Sequence, residues 1–277
     1  MHEERNADQK KFWDGPTGQK WVQHQADMDR NLADANVGVL RLAAAKPGER
    51  VLDIGCGAGQ TSYLLAEAVG PGGHVTGVDI STPLLGAARS HAPKNTEFIH
   101  ADAAFRAFMP EYDLIFSRFG VMFFDDPAEA FANIRKAAKP SGRLAFVCWR
   151  PAPENQWVTV PAAAAKPFLP ETPPADPLAP GHFAFADPKR VEVILTKAGF
   201  GNVKIDRLDG RMHLGPSAEN AAFQMTNIGP LSRALNEVED EAVKDKIHAA
   251  VAVAFEGIKK NGEVAPAIAC WLVSASA

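Results

Sequence analysis

Val51-Leu52-Asp53-Ile54-Gly55-Cys56-Gly57-Ala58-Gly59-Gln60-Thr61 is the stretch that decides how this chain is read. It has the pattern of a buried strand that runs into a glycine-rich turn and then into a helix. Three glycines at alternate positions let the backbone bend sharply, and let a ligand approach main-chain N–H groups without meeting a Cβ. A loop of this kind at a helix N-terminus is a common nucleotide cradle. Asp53, at the strand end beside the loop, discriminates among nucleotides. A dinucleotide would bring its pyrophosphate against that carboxylate and be repelled, whereas a ligand carrying an ammonium group would be attracted.

Outward from this stretch the pattern alternates. Residues 12–45 read as helical, with Met28, Leu32, Ala35, Val39 and Leu42 at near-helical spacing and Lys46-Pro47-Gly48 as the stop. Strands are predicted over 50–54, 74–80, 96–101, 112–117 and 144–149. Helices are predicted over 61–69, from the Ser81-Thr82-Pro83 cap to His91, and over 126–138, with Lys139-Pro140-Ser141-Gly142 as a stop. Strands that are apolar throughout and alternate with helices form a parallel sheet covered on both faces. The beat breaks at 151–183, which is proline-rich with little period. A helix over 187–198, a sixth strand over 203–208, two or three helices over 216–260 and a last strand over 264–273 pairing beside the sixth complete the chain. The expected fold is a doubly wound, mostly parallel, seven-stranded Rossmann-like α/β sheet with a final antiparallel strand and a helical lid. The expected organisation is a lid segment 1–45, a nucleotide-binding core 46–150, a proline-rich lid insertion 151–183, and 184–277 as the rest of the core with a helical insertion 216–260. Ligands of open parallel sheets sit outside the carboxyl ends of the strands, so the irregular segments are expected to gather there.

Composition bounds the function. In 277 residues, 46% are hydrophobic and 22% charged, enough for a large core. The net charge of −4 gives no global attraction to nucleic acid or to an anionic membrane. Cys56, Cys148 and Cys270 are scattered without metal-ligand spacing, and no disulfide framework is legible, which fits a reducing cytoplasm. Residues 1–11 carry no apolar signal region, and no apolar run approaches the ~20 residues that cross a bilayer. No metal is expected. Asp125 and Asp126 are the neighbouring acids to check for a metal-dependent transfer.

Four features fall at successive strand ends: the glycine loop with Asp53, then Asp79, then Asp102, then Ser117-Arg118-Phe119-Gly120. In this order they resemble the class I S-adenosylmethionine-dependent methyltransferases, most nearly the small-molecule enzymes of the ubiquinone and menaquinone biosynthesis type. The resemblance covers roughly residues 46–150 and rests on residues 51–59, on Gly77-Val78-Asp79-Ile80-Ser81, on Ala101-Asp102-Ala103 and on Lys139-Pro140-Ser141-Gly142-Arg143-Leu144. Ser141 stands where members often carry a second glycine. The resemblance implies S-adenosylmethionine as cofactor. Gly55, Gly57 and Gly59, with Gln60 and Thr61 opening the helix, would hold its amino-acid tail. Asp53 would bind the ammonium directly or through water, Asp79 the ribose hydroxyls, and Asp102 with the Ala103 N–H the adenine edge. Ile80 and Leu84 would face the adenine, and Ser117 would complete the methionine side.

Methyl transfer from a sulfonium needs alignment more than acid–base chemistry, so no catalytic residue is fixed by the pattern; the candidates are Arg118, His24 and His182. Arg118 either pairs with an acid of the lid, positions substrate or makes a surface ion pair. His213 is a further histidine of the same chemical type. Trp13, Trp21, Phe119, Met122 and Trp149 are the candidate substrate wall, against the alternative of ordinary core packing. Cys56, with no partner base, is read as a small loop residue. The expected partner is a small hydrophobic or aromatic methyl acceptor, with no nucleic acid and no membrane insertion; a homodimer is left open. Two rivals stand: an NAD(P)-dependent oxidoreductase, disfavoured because Gln60 occupies the third-glycine position, and a cofactor-binding protein acting on a macromolecule.

Overall fold

The structure is a computed structural model that describes residues 6–171 and 176–277. Residues 1–5 of the first lid segment and 172–175 of the proline-rich one lie outside the described residues. The chain begins with four short helices, α1 (Ala7–Asp14), α2 (Pro16–Gln23), α3 (Gln25–Asn31) and α4 (Ala33–Ala43). The single helical stretch expected over 12–45 is therefore broken three times, at Gly15, His24 and Leu32, none of which takes helical backbone angles. The core then follows as β1 (Arg50–Ile54), α5 (Gln60–Val69), β2 (His74–Asp79), α6 (Thr82–Ser90), β3 (Thr96–His100), β4 (Tyr112–Arg118), α7 (Pro127–Arg135) and β5 (Ala138–Trp149). After it come α8 (Gln156–Ala165), α9 (Pro188–Lys197), β6 (Gly201–Arg211), α10 (Ala218–Asn227), α11 (Pro230–Asn236), α12 (Glu241–Ile258) and β7 (Ala267–Ser276).

The seven strands form one sheet in the order β3-β2-β1-β4-β5-β7-β6. β7 runs antiparallel to both β5 and β6, while the other neighbouring pairs are parallel. This is the doubly wound sheet with a final antiparallel strand that the sequence pattern predicts. Residues 51–54 of β1 and 144–149 of β5 are buried without alternation, as strands covered on both faces must be. β6 lies at the sheet edge and is mostly exposed. Two expectations need correcting. Lys139-Pro140-Ser141-Gly142 does not separate α7 from a strand. It lies inside β5, and the register slips between Tyr112 and Leu114 of β4 to accommodate it. The proline-rich segment is also not shapeless: it holds α8, with Pro161 inside it. α8 packs against α12 and β7, and Asn155 before it ties it to the sheet by accepting from the Ala269 N–H at 2.9 Å and the Trp157 indole N–H at 3.1 Å.

The N-terminal helices are fastened over the carboxyl ends of the strands. Ser81 caps α6 and its hydroxyl also donates to the Trp13 carbonyl at 2.7 Å; the Thr82 N–H donates to Asp14 at 2.7 Å. Farther along, His213, just past β6, sits between Asp34 of α4 and Glu263, with ring nitrogens 3.1 and 3.0 Å from their carboxylates. Burial pulls the His213 pKa down, but the hydrogen bonds and charges of Asp34 and Glu263 outweigh it and raise it above its ordinary value. A histidine held in this way stabilises the fold fully below about pH 6.5 and loses that contribution as pH rises through the raised value. His213→Ala is accordingly expected to lower Tm by about 1–3 °C at about pH 5.5, with the difference closing by about pH 8.5, as read by thermal scans across pH.

Candidate functional site

A cavity of about 200 Å³ opens at the carboxyl ends of β1, β2 and β4, beneath the N-terminal helices. Its two ends differ in chemistry. One wall is made by Gly55, Gly57, Gln60, Asp79, Ile80, Leu84, Asp102 and Ala103; the other by Trp13, Phe119, Met122, Phe123, Trp149, Trp157, His182, Met212 and Met225.

The glycine loop is built by close approach. Gly55 has φ +67°, and a Cβ there would lie 2.8 Å from the Gly120 Cα; a Cβ on Gly120 would lie 2.7 Å from the Ile54 carbonyl oxygen. Gly57 has φ +54° and its missing Cβ would meet only open space, which leaves that part of the loop bare toward the cavity. Four of the loop amides are already engaged. The N–H groups of Gly55 and Cys56 donate to the Val78 carbonyl, that of Gly59 to the Cys56 carbonyl, and that of Gly57 to an Asp79 carboxylate oxygen at 2.8 Å.

Asp79 also accepts from the Ser81 N–H at 2.8 Å. Burial raises its pKa against these two donors. Each of its oxygens keeps a further lone pair for a ligand donor. Asp102 accepts from the Ala104 N–H at 2.9 Å and from the Asn6 side chain at 3.0 Å, which links the β3 exit to α1. The wall therefore offers carboxylates, bare backbone and apolar faces. This donor set suits a ligand with hydroxyl, amino and cationic groups, and opposes one carrying a pyrophosphate.

The structure departs from the sequence reading at several positions. Asp53 is fully buried behind the loop and does not line the cavity, so it makes no direct contact with a ligand there. One of its oxygens accepts from the Thr61 and Ser62 hydroxyls at 2.9 and 2.6 Å; the other has no partner among the described residues. Burial pushes its pKa up to about 6, against those hydroxyls and the charge of Arg118. Gly59, Thr61 and Ser117 are also absent from the cavity wall. Thr61 serves Asp53, and the Ser117 hydroxyl donates to the Ile54 carbonyl at 2.8 Å, bracing the β1 exit. His24 lies off the wall, against Phe223 and Asp27.

Arg118 is on the wall and meets an acid of the lid, Asp29 of α3, at 3.7 Å. It also donates to Asn36 at 3.0 Å and to Gln60 at 2.6 Å. Gln60, in the third-glycine position, thus accepts from Arg118 of β4 and also from Asn36 of the N-terminal segment, at 2.8 Å. Asp29, Gln25 and Asn36 carried no signal in the sequence beyond being polar residues on short helices.

All five candidate substrate-wall residues are on the cavity wall. Phe119 and Trp149 stack with centroids 4.2 Å apart, and Trp13 meets Trp21 and Phe123 edge-on. Phe119 takes φ +59°, a strained conformation for a bulky residue that persists where its surroundings fix it. Met212, Met225 and Ile228 join the same wall without having been singled out. Cys56 is buried and its thiol pKa is raised by burial, so it is no nucleophile. Asp126 caps α7, and among the described residues no group of three or more metal-ligating side chains is placed to hold an ion. No helix among them is long and apolar enough to cross a membrane.

Residues 51–142 match the family described as a methyltransferase domain. The chain is 31% identical over 197 residues to the nocamycin O-methyltransferase of Saccharothrix syringae, covering 65% of this chain and 69% of that protein. It is 32% identical over 113 residues to the demethylmenaquinone methyltransferase of Listeria welshimeri, covering 39% of this chain and 48% of that one. Among solved structures, phosphoethanolamine N-methyltransferase 2 of Haemonchus contortus, in complex with phosphomonomethylethanolamine and S-adenosylhomocysteine, superposes with a TM-score of 0.59. The identity is 18%, over 96% of this chain and 60% of that one, a likeness of fold alone.

The buried charge of Asp53 yields a test independent of any ligand. With a folded pKa near 6 and an unfolded value near 3.9, the native state binds the extra proton between them, so this group's contribution to stability falls as pH rises through that window. Comparing ligand-free Asp53→Asn with wild type by urea denaturation, the difference is expected to move in the variant's favour by up to about 3 kcal/mol between about pH 4 and pH 6, and to stay flat above. Parallel pH profiles would show that Asp53 is not held in a costly charged state.

Proposed function

The chain belongs to the S-adenosylmethionine-dependent methyltransferases, and from that premise we propose that it methylates a small, hydrophobic or aromatic metabolite by in-line displacement. The observation that carries this reading is the single cavity with two unlike ends, carboxylates and bare glycine backbone on one side and packed aromatic rings on the other. The wall fits the cofactor: bound there, S-adenosylmethionine supplies a methyl group already activated by a sulfonium.

Asp79 accepts hydrogen bonds from the ribose hydroxyls, a task suited to a carboxylate whose two oxygens are oriented by backbone amides. Ile80 and Leu84 pack on the adenine, and Asp102 with Ala103 reads its amino edge. Gly55 and Gly57 let the amino-acid tail lie on the backbone. Arg118 and Asp29 lie beside it as a charged pair, and Asp53 acts from behind the loop by its charge. The aromatic wall excludes water and holds a flat acceptor in line with the transferred carbon. Alignment of this kind can supply about 7–11 kcal/mol of barrier lowering. The nocamycin and demethylmenaquinone relatives are named for acceptors of comparable kind, which supports the same class here. The oxidoreductase reading is disfavoured by the loop, where the Gly57 amide that would meet a phosphate is already taken by Asp79.

Titration calorimetry tests this. Wild type is expected to bind S-adenosylmethionine and not NADH. Asp79→Ala is expected to weaken that binding by about 10- to 150-fold, the value of hydrogen bonds to a charged acceptor, with circular dichroism checking that the variant remains folded. Preference for NADH, or unchanged affinity in a folded Asp79→Ala protein, would contradict it.

A further inference from the structure

One titratable side chain on the cavity wall has no task in the cofactor end. His182 lies in the turn before α9, and that turn is pinned over the cavity by the Gly181 N–H donating to the Met122 carbonyl at 3.1 Å. Its ring is flanked by Phe123 at 5.6 Å and Trp157 at 5.8 Å, and neither ring nitrogen has a hydrogen-bond partner among the described residues. The other charged or titratable groups of the wall are engaged: Arg118 with Asp29, Asp79 with two amides, Asp102 with Asn6 and Ala104. No carboxylate lies on the aromatic wall to pair with a cationic acceptor.

We propose that His182 is a catalytic base, and that the acceptor is a neutral flat phenol or enol whose hydroxyl hydrogen-bonds to its imidazole. This rests on the cavity being the methyl-transfer site. The acceptor oxygen attacks the methyl carbon with a lone pair, a C–O bond forms, and the C–S bond breaks with its electron pair passing to sulfur, leaving a neutral thioether. The hydroxyl proton passes to the free nitrogen of His182. The positive charge that leaves sulfur therefore reappears as imidazolium, and water later takes the proton. Burial, with a smaller push from the charge of Arg233 on α11, lowers the pKa of His182 to about 4 and keeps the ring neutral and able to accept. So weak a base suffices, because the proton on an oxygen that is gaining a methyl group becomes strongly acidic.

The test uses two phenols of unlike acidity, 4-methylphenol and 4-nitrophenol, at a pH where only the second is already ionised, with S-adenosylhomocysteine formation as readout and S-adenosylmethionine binding measured by calorimetry. For His182→Ala and His182→Gln, kcat with 4-methylphenol is expected to fall about 10²–10⁴-fold, the usual worth of a general base. Turnover of 4-nitrophenol is expected to stay within about tenfold of wild type, and cofactor binding to be unchanged. Equal losses with both phenols, or none with either, would overturn the proposal, as would a wild-type protein that binds the cofactor and methylates neither. A wild-type protein that does not bind S-adenosylmethionine would overturn the underlying reading of the cavity instead.

Discussion

The site depends on a place where two strand exits touch with no side chain between them. Gly55 and Gly120 approach so closely that a Cβ on either would strike backbone, at 2.8 Å from the Gly120 Cα in one direction and at 2.7 Å from the Ile54 carbonyl oxygen in the other. β1 and β4 can then end side by side, which puts the glycine loop and the Phe119 turn on one cavity wall. The positive φ of Phe119 follows directly before Gly120 and turns its ring onto Trp149. The polar and aromatic ends of the cavity thus meet where these two backbones touch.

The electrostatics follow from the same geometry. The amides of Gly55, Cys56, Gly57 and Gly59 are closed on Val78, Asp79 and Cys56, so these four are not offered to an anion. The carboxylates around it are held at a desolvation cost, seen in the raised pKa values of Asp53 and Asp79. Carboxylates kept in so dry a place are relieved by a ligand that brings hydroxyl and ammonium donors. Arg118 offsets part of the negative charge and carries the N-terminal segment with it, through Asp29 and Asn36. Cofactor site and lid are in this way electrostatically connected.

Much of this was legible in the sequence, for physical reasons. Unbroken apolar strands and capping residues such as Ser81, Asp126 and Asp187 mark the alternating core, because their signals are local. Three things were not. The breaks at Gly15, His24 and Leu32 are not carried by apolar periodicity; the first follows directly after Trp13 and Asp14, which are held by Ser81 and Thr82. Lys139-Pro140-Ser141-Gly142 reads as a turn, but a register slip lets it continue β5. Asp53 reads as a ligand contact because it borders the glycines, yet strand pleat and burial turn it toward Thr61 and Ser62 instead. The aromatic wall could be named but not told from core by composition alone, since Phe119, Met122 and Trp149 would be apolar and buried in either role.

The most direct measurement is a crystal structure of the protein with S-adenosylhomocysteine bound. The account expects the amino-acid tail across Gly55 and Gly57, the ribose on Asp79, the adenine beside Asp102, and the thioether sulfur facing Phe119, Trp149 and His182. A ligand bound elsewhere, or one lying in the cavity with its sulfur turned away from the aromatic wall, would contradict it.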